Sequence, residues 1–266
     1  LKRSINRIPE VGKNKVARWA ELGTFKNVIQ PETKDVSGTD HTIKGNWRKQ
    51  IFRNENPVVL ELGCGKGEYT LGLAEVFPGV NFIGIDIKGA RMWRGAKTAE
   101  TNQLKNTAFL RTRIEFISSF FEEDEVDEIW IIFPDPHSGK RNSNKRLTCP
   151  WFLNKYRSLL KNNGIIHLKT DNSELFRYTE NLVKNNGFEI LLATDDLYGG
   201  DQNTTTALFN AVSSLNTTCK DENLTDKVLS IRTYYETIFL KEGLNINYLA
   251  FRLDKNRPVY EEWKKS

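Results

Sequence analysis

The feature that most constrains this chain begins at residue 57, where short apolar, β-branched runs start to alternate with longer segments of helical period. The runs are PVVLELG (57–63), NFIGIDI (81–87), AFLRTR (108–113), EIWIIFP (128–134), GIIHLKT (164–170), FEILLAT (188–194) and INYLAFRL (246–253). Near-continuous apolar strands joined by helices are buried on both faces, the pattern of a doubly wound α/β sheet. A seven-stranded, mostly parallel sheet is expected. Helices are predicted near 68–77, 89–104, 114–122, 150–162, 173–186 and 227–242, with Asn172 and Asp226 as N-caps. Asn-Asn-Gly at 162–164 and 185–187 would stop two of them. Residues 198–226, rich in Gly, Asn, Thr and Ser, read as a long polar loop.

Charge divides the chain further. Of a net +5, residues 1–50 contribute 11 Lys/Arg against 5 Asp/Glu, leaving 28 against 29 for the rest. The expected organisation is a basic N-terminal extension (1–50) followed by one domain (51–266). Within the near-neutral remainder, residues 136–170 hold eight Lys/Arg and no acid. Two such patches suit a polyanion, bound by phosphate neutralisation and counterion release. No apolar run approaches the roughly 18 residues of a membrane span, and LKRSINRIPE lacks the apolar core of a signal peptide. A soluble, cytoplasmic protein without a membrane partner is expected, trimmed at its start because it opens on leucine. Cys64, Cys149 and Cys219 are odd in number and lack ligand spacing, so free thiols and no metal are expected. Among the histidines, His41 reads as solvated, His167 as structural, and His137 as the one placed to touch a ligand.

Two stretches carry chemistry. In VVLELGCGKGEYT, glycines at 63, 65 and 67 let the backbone turn tightly and approach a ligand before the next helix. Position 68 is Glu, so the pyrophosphate pattern G-x-G-x-x-G fails, and a ligand without a pyrophosphate fits better. Asp86, at the end of the next strand, is placed to accept bonds from two ribose hydroxyls. The second stretch, FPDPHSGKRNSNKRL (133–147), sets Asp135 at a strand end where open α/β sheets bind ligands, with basic residues behind it.

ELGCGKG followed by GID resembles the S-adenosylmethionine site of class I methyltransferases, which have a Rossmann-like fold. The resemblance implies that Glu61, Gly63, Gly65 and Gly67 border the cofactor, that Asp86 holds its ribose, and that Asp135 faces it. FPDP, Lys140-Arg141, Lys145-Arg146-Leu147, LKTDN (168–172) and TYYE (233–236) together resemble the bacterial tRNA (guanine-N7)-methyltransferase family over most of residues 56–253. His137, Gly139 and Asn142 replace the usual tryptophan, lysine and histidine. Arg113 stands where many members carry an acid near the adenine, so backbone groups are expected to serve there.

The resemblance implies methyl transfer to N7 of a guanine in the tRNA variable loop, at position 46. Guanine N7 has a free lone pair at neutral pH, so in-line attack requires alignment rather than a strong base. Carboxylates can hold the N1 and N2 donors of the base and offset its developing positive charge. Asp135, as the catalytic residue, and Asp171 are placed for this; the resemblance adds Thr233, Tyr234, Tyr235 and Glu236 on the guanine side. Lys140, Arg141, Lys145 and Arg146 would hold phosphates. The alternatives are transfer to another RNA guanine, or a non-catalytic RNA-binding protein on the same fold. Monomer and homodimer stay equally open.

Overall fold

The computed structural model describes residues 11–32, 36, 38–213 and 223–261. In chain order, α1 (Val11–Leu22) and β1 (Val28–Ile29) precede the alternating part. That part begins β2 (Val58–Leu62), α2 (Glu68–Val76), β3 (Asn81–Asp86), α3 (Gly89–Thr101), β4 (Thr107–Arg111), β5 (Val126–Ile132). It continues α4 (Pro150–Leu159), β6 (Leu160–Thr170), α5 (Ser173–Asn185), β7 (Ile190–Thr194), α6 (Gln202–Val212), α7 (Leu224–Ser230), α8 (Tyr234–Lys241) and β8 (Asn247–Arg252).

All seven expected strands form, and the sheet has an eighth, β1, whose two residues pair in parallel with Phe109 and Leu110 of β4. Two residues cannot display a period, so no sequence signal marks this edge strand. The order is β1-β4-β3-β2-β5-β6-β8-β7, with β8 antiparallel to both neighbours and the other pairings parallel. From β2 the chain winds one way through β3 and β4, then crosses to β5 and β6 on the other side. The β2/β5 boundary is therefore the topological switch point, and a ligand crevice opens beyond its carboxyl ends.

Alternate side chains feed two cores. Val58, Leu60, Ile129, Ile131, Ile166 and Leu168 pack under α4 and α5. Val59, Trp130 and Ile165 face the opposite core with Tyr69 and Leu73 of α2, Leu208 of α6 and Val228 of α7. Each such buried side chain contributes about 1.5–3 kcal/mol. The N-terminal region joins these layers: Leu22 packs with Met92, Ala96 and Phe109, while Trp47 is buried, donates from Nε1 to the Phe120 carbonyl at 2.8 Å and stacks on Phe121.

Several local expectations are corrected. Residues Ile114–Ser119 form a 3-10 segment rather than an α-helix. The stretch expected as a loop holds α6, capped by Asp201, whose carboxylate accepts from the Thr204 amide at 2.9 Å; residues 214–222, with Cys219, lie outside the described residues. The single helix expected over 227–242 is two, because Thr233 starts α8 with a reciprocal capping box to Glu236. Asp226 accordingly lies in the first turn of α7 instead of at its cap. Asn162-Asn163-Gly164 belongs to β6, with Asn163 at φ 64° in the irregular stretch where the pairing with β5 shifts register. Asn172 caps α5 as expected, accepting from the Leu175 amide at 2.8 Å, and Gly187 at φ 67° follows its end. His41 is half-buried against Phe120 rather than solvated. His167 is structural, bonded to Glu128 and Tyr248 in the core.

Candidate active site

Leaving β2, the chain turns through Gly63, Gly65 and Gly67, all at positive φ (78°, 56° and 72°). These conformations strain any residue with a Cβ. The amides of Gly63 and Cys64 donate to the Ile85 carbonyl at 2.8 and 3.0 Å, tying the loop to β3. Gly67 faces inward, since a Cβ there would lie 2.7 Å from the Phe109 ring. A Cβ on Gly63 would meet nothing within 4 Å, and one on Gly65 only the Gly63 carbonyl at 4.0 Å. The loop thus presents an open backbone cradle on its crevice side, and the group that the glycines imply fits it.

Glu61 does not line that cradle. It is 5 % exposed, and its carboxylate accepts from the Thr70 amide at 2.7 Å and from the Thr70 hydroxyl. Burial pushes its carboxyl up to about 8. Its place is behind the loop, fixing the first turn of α2. Asp86 stands at the crevice, one oxygen accepting from the Gly65 amide at 2.9 Å and the other from the Lys88 amide at 2.7 Å. Arg113 does not join the cluster, because its exposed guanidinium pairs with Glu115 at 2.7 Å. The arginine beside Asp86 is Arg111, its register partner on β4, which sequence reasoning passed over; it lies over the Trp19 ring.

Across the switch point, β5 ends and Phe133 takes φ 46° while its amide donates to the Lys169 carbonyl at 2.8 Å. Asp135 follows, exposed, with neither a hydrogen bond nor an ion pair among the described residues. His137 sits at φ 44° and Gly139 at φ 83°. Arg141 and Lys145 are exposed, Lys145 donating to the Asn142 side chain at 3.2 Å. Arg146 departs from expectation. It is 3 % exposed, donates from Nε to the Pro136 and His137 carbonyls at 3.1 and 3.3 Å, and pairs with Glu174 at 2.6 Å. It is a buried brace, so its phosphate contact is withdrawn; the burial is invisible in a run of basic letters.

At the next strand end Asp171 is half-buried and meets no other residue's donor among the described residues; burial raises its carboxyl above the usual aspartate range, opposed by its own backbone amide. The cap of α5 is Asn172, which leaves Asp171 for the crevice. The TYYE segment divides. Glu236 is 0 % exposed, pairs with Lys169 at 2.5 Å, accepts from the Tyr198 hydroxyl at 2.5 Å and closes the Thr233 capping box. It is thus turned into the core and corrected as a guanine contact. Tyr234 and Tyr235 are exposed; the Tyr234 amide donates to Glu68 at 3.1 Å, and Lys66 lies 4.5 Å from the Tyr234 ring. Tyr235 continues through Phe239 to Phe133, so the start of α8 spans from the glycine loop to the Asp135 strand. The crevice is therefore bounded by Gly63, Gly65, Asp86, Asp135, Asp171 and the Thr233–Tyr235 turn.

The family model described as "Putative methyltransferase" (Methyltransf_4) matches residues 55–248. A protein of Bacteroides fragilis named tRNA (guanine-N(7)-)-methyltransferase is 43 % identical over 251 residues, 94 % of this chain and 90 % of its own. One of the same name from Christiangramia forsetii is 44 % identical over 241 residues, 91 % and 98 % of the two chains. Another from Porphyromonas gingivalis is 47 % identical over 220 residues, 83 % and 81 %. Among solved structures, the 16S rRNA methyltransferase KamB is similar with a TM-score of 0.55 at 12 % identity, covering 80 % of this chain and 95 % of that one. That last likeness is one of fold.

Proposed function

Because the chain belongs to the tRNA (guanine-N7)-methyltransferase family, we propose that it moves the methyl group of S-adenosylmethionine to N7 of a guanine in tRNA, at position 46 of the variable loop. The observation that carries this is Asp135: a carboxylate with neither a hydrogen bond nor an ion pair among the described residues, on a braced loop at the switch point, across the crevice from an open glycine cradle. S-adenosylmethionine, when bound, supplies an electrophilic sulfonium methyl. Gly63 and Gly65 pass its length without a clashing Cβ, and Asp86 accepts from its ribose hydroxyls. Asp135 and Asp171 accept from the guanine N1 and N2 donors, align N7 with the methyl and offset the positive charge that the ring acquires. Thr233, Tyr234 and Tyr235 wall the base, and Arg141 and Lys145 hold phosphates, fixing register without reading sequence; the side chain of Lys140, expected beside them, lies outside what the structure describes. Since N7 already carries its lone pair, neither a protein nucleophile nor a metal is needed. The protein works where its tRNA is, in the cytoplasm.

The test is to incubate the protein with labelled donor and unmodified tRNA, beside the same tRNA bearing A at the variable-loop position. Label should enter only the first, as 7-methylguanine. Equal labelling of both would sink the site assignment, and no labelling of either would favour a non-catalytic RNA-binding protein.

A further inference from the structure

We propose that Arg146 is a positioning residue for methyl transfer, holding the Asp135 loop in shape from within. The loop needs such a hold. Phe133 and His137 are non-glycine residues at φ 46° and 44°, and Gly139 follows at φ 83°. Backbone of this kind persists only where its surroundings over-determine it. Arg146 and Glu174 supply the constraint at three points: Nε of Arg146 donates to the Pro136 and His137 carbonyls, while Glu174 accepts from the Gly139 amide at 3.2 Å. The two brace each other at 2.6 Å, and the guanidinium lies 4.4 Å from the centre of the Tyr178 ring.

Asp135 immediately precedes the first pinned carbonyl, so the frame that aims it is set by a side chain 11 residues further on. With 3 % of its surface exposed, Arg146 has no face left for a phosphate. The arrangement depends on a rigid fork of donors, which a lysine ammonium cannot reproduce. The inference rests on the placement of Asp135 in the transfer site.

Arg146→Lys tests it, because charge is kept and the fork is lost. Three quantities are read: the single-turnover rate at saturating tRNA and donor, the salt dependence of tRNA affinity, and hydrogen exchange at the Gly139 amide. The saturated rate should fall about tenfold or more, with tRNA affinity within about twofold of wild type and an unchanged salt slope, and Gly139 should exchange faster. Arg146→Ala combined with Glu174→Ala should cost no more than Arg146→Ala alone, since both act through one loop. A Lys variant with the wild-type saturated rate would overturn the inference. So would an Ala variant whose whole loss lies in tRNA affinity, with a slope shallower by about one phosphate. Wild-type protein that labels no tRNA guanine would instead overturn the functional reading, and the exchange at Gly139 would still decide whether Arg146 holds the loop.

Discussion

Lys169 and Glu236 form an ion pair of 2.5 Å with both side chains wholly withdrawn from solvent. The pair joins β6 to the first turn of α8 and so sets where Tyr234 and Tyr235 stand beside the crevice. Burial holds the Lys169 ammonium below the usual lysine range, although Glu236 opposes that shift. Removing one partner leaves the other charge uncompensated, which costs about 3–5 kcal/mol. Lys169→Met should therefore lower the unfolding free energy by about that amount in urea titrations. Adding Glu236→Gln should recover part of the loss, because the second charge then leaves the core as well. Strictly additive losses would show that the two do not act as a pair.

Glu61 ties stability to pH. Its carboxyl, pushed up to about 8 from an ordinary 4.5, binds more protons folded than unfolded between those values. The stability that it contributes is full below about pH 4.5 and is lost as pH rises toward about 8. Glu61→Gln keeps an acceptor for the Thr70 amide and cannot ionise. It should flatten the fall in unfolding free energy between about pH 5 and about pH 8, a difference on the order of 4 kcal/mol. Urea unfolding across that range checks it, and parallel curves for the two proteins would refute it.

Asp135 is exposed and has no partner among the described residues, so the fold owes it little. Asp135→Ala should leave thermal stability within about 0.5 kcal/mol of wild type. Methyl transfer should nevertheless fall by about a hundredfold or more, as it does when a charge-stabilising group is removed. Calorimetry and labelled-donor assays on the same preparation separate the two quantities. Wild-type turnover would remove Asp135 from the chemistry.

The strand pattern was legible because each buried strand needs a continuous apolar run, and so was the glycine loop, whose three positive φ angles demand glycine. What stayed hidden depends on neighbours distant in the chain. Lys145 and Arg146 are adjacent basic letters, yet one is exposed and the other meets Glu174, 28 residues away, inside the fold. Glu236 reads as a ligand contact from the letters TYYE, which cannot report that Lys169 waits behind them. Glu61 sits in the expected motif, but its carboxylate turns inward because Thr70 offers both an amide and a hydroxyl.

Asp171 gives the acid side of the activity profile. It is half-buried with no partner beyond its own backbone amide among the described residues, and burial raises its carboxyl above the ordinary 3.8. If its carboxylate accepts from guanine, the charged form is the working one. Activity is then present above the raised value and lost as pH falls through it, so kcat/KM should show an acid limb at a pH higher than an ordinary aspartate would give. Asp171→Asn cannot ionise and offers one acceptor in place of two. Its kcat/KM should be lower by about tenfold or more and should lack that limb. A profile measured with tRNA well below KM reports the free enzyme, which is the state described here. An unchanged acid limb in Asp171→Asn would assign the titration to another group and leave Asp135 as the carboxylate that meets the base.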